Sequence, residues 1–102
     1  MNKLDYNDVP IEAAEAATKA VNKNDYMLMN IKRYSNHPED AHLFTVLALK
    51  EINTNGNTLF KQYATWLFNS STGSLNEGHY TADKDGARLD YHRRQYDCIS
   101  PV

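Results

Sequence analysis

One cysteine, Cys98, in 102 residues excludes an internal disulfide and any metal site built from several thiolates. Stability must therefore come from packing, and a reducing compartment is expected. Four glycines, at 56, 73, 78 and 86, are too dispersed to build a phosphate loop or a dinucleotide fingerprint. A Gly-x-Ser-x-Gly nucleophile elbow is also missing. No run approaches the ~18 apolar residues of a membrane span. The start MNKLDYNDVP has neither the basic nor the apolar region of a signal peptide. A cytoplasmic protein with no membrane partner is the expectation. Neither charge sign dominates, because 13 acidic and 11 basic side chains leave a net charge of −2. That balance excludes both a generally basic nucleic-acid binder and an acidic mimic of a phosphate backbone.

What is present fits one globular domain of ordinary size, spanning residues 1–102. Fifteen of the 28 residues from 41 to 68 are apolar, against ten of the 34 from 69 to 102. The core is thus expected in the middle of the chain, and a polar segment at about 70–102. Eleven asparagines, several in clusters such as Asn53, Asn55 and Asn57, punctuate the chain with turns and caps.

Asp8, Pro10 and Glu12 mark a helix start, followed by Ala13, Ala16, Ala17, Ala20 and Val21 at helical spacing. Met27, Leu28, Ile31 and Tyr34 suggest a second, shorter helix. Pro38 with Glu39 and Asp40 begins what reads as the central helix, whose Leu43, Phe44, Val46, Leu47, Leu49 and Ile52 cover more than half of a helical circumference. Gly56 would end it. Leu59, Phe60, Tyr63, Ala64, Trp66, Leu67 and Phe68 then read as its partner in a helical hairpin over about 38–69. Ser74-Leu75-Asn76-Glu77 makes at most one turn, and Thr81 caps a last helix over about 82–96. The expected fold class is all-α, a compact single-domain bundle of four to five helices with a loop-rich C-terminal third.

Motifs for chemistry are scarce. Asp83-Lys84-Asp85-Gly86 contains the core of a calcium loop, but the frame puts Thr81 at position one and His92 at position twelve, where acids are required. His37, His42, His79 and His92 include no pair at i,i+3 or i,i+4. No metal and no cofactor are expected. Cys98 lies beside Asp97 in the terminal residues, a poor place to preorganise a thiol nucleophile. The turn at Gly56 invites comparison with a helix-turn-helix, but residues 58–69 supply only Lys61 as a cation.

The most distinctive stretch is Arg88-Leu89-Asp90-Tyr91-His92-Arg93-Arg94-Gln95-Tyr96, where arginines interleave with aromatics. Arg and Tyr are frequent interface anchors, and seven tyrosines exceed what one small core buries with satisfied hydroxyls. Tyr80, Arg88, Tyr91, His92, Arg93, Arg94 and Tyr96 are therefore the candidate contact surface. The expected function is that of a small non-enzymatic protein that binds another macromolecule, first of all a protein. It would act as a regulator or inhibitor of a protein complex, with the size and composition of many phage or mobile-element proteins. Homo-oligomerisation is left open. Two alternatives stand beside this one. The same segment also suits nucleic acid, through phosphate clamping and base stacking. A small enzyme would gain support from a deep cavity holding His79 or His92 beside a carboxylate.

Overall fold

The structure is a computed structural model that describes residues 3–54 and 56–95, the side chains of residues 54, 58 and 59 excepted. Tyr96 and Cys98 lie outside the described residues. The chain runs α1 (Ile11–Asn22), β1 (Met27–Arg33), a single 3-10 turn at Pro38–Asp40, β2 (Leu43–Thr54), β3 (Asn57–Asn69), β4 (Ser74–Thr81) and α2 (Lys84–Arg93). The strands form one antiparallel sheet in the order β1-β2-β3-β4.

This sheet overturns the expectation of an all-α helical bundle. The supposed central helical hairpin is the β2–β3 hairpin, in which Thr54 pairs with Asn57 and Gly56 turns the chain at φ 82°. The supposed second helix is β1, and Ser74–Thr81 is a strand as well. Both faces of the sheet are covered, so its inner strands are apolar on both sides and show no alternation. Phe44, Val46 and Ala48 point to one face, and Thr45 and Leu47 to the other, yet all five are buried. Such a run imitates a helix buried on most of its circumference. Propensity does distinguish the two, since Thr45, Val46, Ile52, Tyr63, Thr65, Trp66 and Phe68 are β-branched or aromatic and favour a pleated surface.

The terminal helices match the sequence reading more closely. In α1, Ala13, Ala17, Ala20 and Val21 are buried against Phe44, Val46, Ala64, Trp66 and Phe68. Their small side chains let the helix lie close to the sheet. Pro10 occupies the capping position and Asp8 makes no cap bond, its carbonyl instead accepting from Arg33 Nε at 3.0 Å. On this face Tyr26 meets Trp66 edge-on at 5.0 Å, and Trp66 meets Tyr80 at 5.7 Å while donating Nε1–H to its hydroxyl at 3.2 Å. A Cβ on Gly78 would come within 2.5 Å of that hydroxyl and 2.6 Å of the indole nitrogen. Any side chain there would force one of the two rings to shift.

Helix α2 covers the opposite face, packing Ala87 and Tyr91 against Leu47 and Tyr63. Its start is capped by Asp83, whose carboxylate accepts from Asp85 N–H at 3.1 Å, while Thr81 Oγ1 accepts from Asp83 N–H. Two buried cations at the end of β1 complete the fold. Arg33 donates Nη1–H to the Ala41 carbonyl at 3.2 Å, and its own N–H bonds to the Tyr6 carbonyl at 2.8 Å. Lys32 lies over the Tyr91 ring at 4.7 Å and donates to Gln95 Oε1 at 2.8 Å.

Candidate functional site

Three elements converge on the α2 side of the sheet: β3 supplies Thr65, β4 supplies His79, and α2 supplies Asp90 and Arg94. Thr65 and His79 are register partners on neighbouring strands, so their side chains share a face. Asp90 and Arg94 are one helical turn apart and point back at the same strands.

A directional chain of hydrogen bonds joins the four. Arg94 Nη1 donates to the Thr65 carbonyl at 2.9 Å and to Thr65 Oγ1 at 3.2 Å. The Thr65 hydroxyl spends its proton on Asp90 Oδ2 in a short bond. The same carboxylate oxygen is 2.9 Å from His79 Nδ1. A carboxylate only accepts, so Nδ1 carries a proton, and in the neutral tautomer with that proton Nε2 is the acceptor. Burial pushes the Asp90 carboxyl up, but the hydrogen bonds from Thr65 and His79 and the electrostatic attraction of His79 and Arg94 outweigh it, and its pKa lies below the ordinary value.

His79 stands between two depressions. One, of about 250 Å³, is lined by His79, Asp90, Gly86, Ala87 and Thr81. The other, of about 420 Å³, lies between β4 and the end of α2, where His79 meets Glu77, Arg93 and Arg94. The sequence pointed to His79 as one of four histidines and, with His92, as one to seek beside a carboxylate, but it did not identify Asp90 as that carboxylate. Neither residue has a local signal, since the pairing of β4 with β3 is what sets His79 opposite Thr65.

The seven residues expected to form one contact surface divide. Arg88, His92 and Arg93 are exposed and share the outer surface of α2 with Leu89, which is 49% exposed. Tyr91 is buried against the sheet, and burial raises its pKa. Arg94 is committed to Thr65 and only 11% exposed. Tyr80 is exposed but belongs to the opposite face, beside Trp66 and Tyr26. Tyr96 lies outside the described residues. Among the described residues no group of His, Cys, Asp and Glu converges to hold a metal ion, and no helix is long and apolar enough to cross a membrane. Comparisons with protein-family models, with curated proteins and with solved structures give no match.

Proposed function

We propose that this chain is a binding protein that docks another protein through the outer surface of α2 and so regulates or inhibits it. The supporting observation is the exposed group Arg88, Leu89, His92 and Arg93. The Arg88 and Arg93 side chains make no salt bridge or hydrogen bond among the described residues, and a half-exposed leucine sits between them. An apolar anchor ringed by uncommitted arginines matches the composition of interface centres. Tyrosine anchors no longer contribute, because Tyr91 faces the core and Tyr80 faces the other way.

Affinity capture from cells, comparing the wild type with an Arg88→Glu/Leu89→Ser/Arg93→Glu variant at about 0.1 M and 0.5 M salt, tests this reading. A protein retained at both concentrations and lost with the variant supports it. A partner retained by the variant refutes the surface. Recovery of nucleic acid that falls steeply with salt favours the alternative of phosphate contacts.

A second reading, a small enzyme, has its own observation in the His79–Asp90 pair. The pair offers a proton acceptor at Nε2 beside a cavity. Among the described residues, however, no hydrogen bond joins His79 to a serine, threonine or cysteine side chain, so no activated nucleophile accompanies it. Binding is the better supported function.

A further inference from the structure

The groove between β4 and the end of α2 carries three features that its role in the fold does not require. First, Arg94 is held by one edge only. Its Nη1 is fixed on Thr65, while Nη2 has Glu77 Oε2 as its nearest carboxylate at 3.7 Å, too long for a hydrogen bond. An almost buried guanidinium thus presents to the groove an edge whose only recorded partner among the described residues is the loosely paired Glu77 carboxylate. Second, Arg93 lines the same groove with no salt bridge among the described residues, and His79 enters it with its ring oriented by Asp90. Third, Glu77 adopts φ 53° where the β3–β4 ladder slips between Thr65 and Leu67. A left-handed conformation is unfavourable for a residue with a Cβ, and here it holds a 73% exposed carboxylate over Arg94.

We infer that this groove binds a phosphate group. Arg94 Nη2 and Arg93 would hold its oxygens, His79 would border it, and Glu77 would turn out into solvent. The end of a helix ordinarily repels anions through its free carbonyls. Here several carbonyls at that end are occupied: Asp90 O accepts from Arg94 N–H, His92 O from Lys32 Nζ, Arg93 O from Gln95 N–H, and Arg94 O from Thr45 Oγ1. The adjoining cavity of about 250 Å³ shares His79 and, beside Thr65, Thr81 and Asp90, offers Gly86 and Ala87 as a wall for a small apolar ester group. The ligand class is therefore a phosphate monoester of a small molecule. The groove shares Arg93 with the proposed docking surface, but Arg94, His79 and Glu77 belong to the groove alone and Arg88 and Leu89 lie outside it, so the inference does not rest on the protein-partner reading.

Calorimetry and amide-shift mapping with inorganic phosphate and phenyl phosphate, at matched ionic strength, test it. Saturable shifts at residues 77–79 and 93–95 with a Kd of about 1 mM or tighter, and tighter binding of the phenyl ester, are expected. Arg93→Gln should weaken binding about tenfold by removing a charge-assisted contact. Glu77→Gln should strengthen it about threefold or more by removing a competing carboxylate, a gain that a merely structural role would not produce. Shifts matched by chloride, no saturation, or an unchanged affinity in Glu77→Gln would overturn the inference. So would tighter binding of a single-stranded oligonucleotide with shifts spread along Arg88 and His92, which would assign the arginines to nucleic acid.

Discussion

Thr65→Val probes the centre of the polar chain with little change of shape. The side chain is 1% exposed and joins Arg94 to Asp90, so the substitution removes one donor to a carboxylate and one acceptor from a guanidinium without opening a cavity. A hydrogen bond to a charged group is worth about 1.5–3 kcal/mol when its loss leaves the partner buried. Two facts place the cost at the lower end. Asp90 is about one-third exposed and regains water, and Arg94 retains the Thr65 carbonyl at 2.9 Å. A loss of about 1–2 kcal/mol follows, which for a domain of this size lowers Tm by about 4–8 °C per kcal/mol. Urea unfolding at several pH values measures it. The Asp90 carboxyl lies below its ordinary pKa in the folded protein, so its ionisation stabilises the fold at neutral pH and that stabilisation is lost as pH falls through the folded value. Thr65→Val brings the carboxyl back toward its ordinary range, and the deficit against wild type should shrink below about pH 4. A deficit under about 0.5 kcal/mol, or one constant from pH 7 to 3, would refute the argument that Thr65 acts through the Asp90 charge.

Other substitutions report on other parts of the fold. Gly78→Ala should cost about 1–3 kcal/mol in chemical unfolding, because the exposed Tyr80 ring can yield but the buried Trp66 indole cannot. Tyr80→Phe removes the acceptor of the indole N–H, and the emission of this only tryptophan should change in wavelength while far-UV circular dichroism is preserved. Lys32→Ala strips a buried stem from Tyr91 and leaves Gln95 without its donor, so it should destabilise by about 1–3 kcal/mol, with Lys32→Met milder because it keeps the apolar packing.

The two helices were legible from local signals, joined in α1 by one apolar face, whereas the apolar positions of α2 form no clean stripe. Alanines at 13, 17 and 20 can be buried by a single neighbour, and Asp83 with Asp85 marks a helix start whatever lies beneath it. The strands were misread because the sheet is a middle layer, and a strand covered on both sides loses the alternation that identifies it. The Asn-Gly pair between two runs rich in β-branched and aromatic residues was the local clue to a tight hairpin. The residues of the candidate contact surface divide for a related reason. Helical spacing places Arg88 and His92 on one side, but only the position of the sheet decides that Tyr91 and Arg94 point inward. His79, Asp90 and Thr65 belong to three elements, and no sequence spacing brings them together.

The adjacent residues Lys32 and Arg33 hold opposite ends of the described chain: Arg33 N–H bonds to the Tyr6 carbonyl, and Lys32 bonds to Gln95. The path from residue 6 to residue 95 is therefore a nearly closed ring, clasped on one strand. A ring can be cut elsewhere if its clasp is made covalent. Joining residue 95 to residue 6 by a linker and opening the chain in the exposed 71–73 turn would make β4 the first element and β3 the last, with every strand pairing unchanged. Such a circular permutant should fold to the same sheet. Its Lys32 and Arg33 would then sit beside a continuous backbone rather than between two ends.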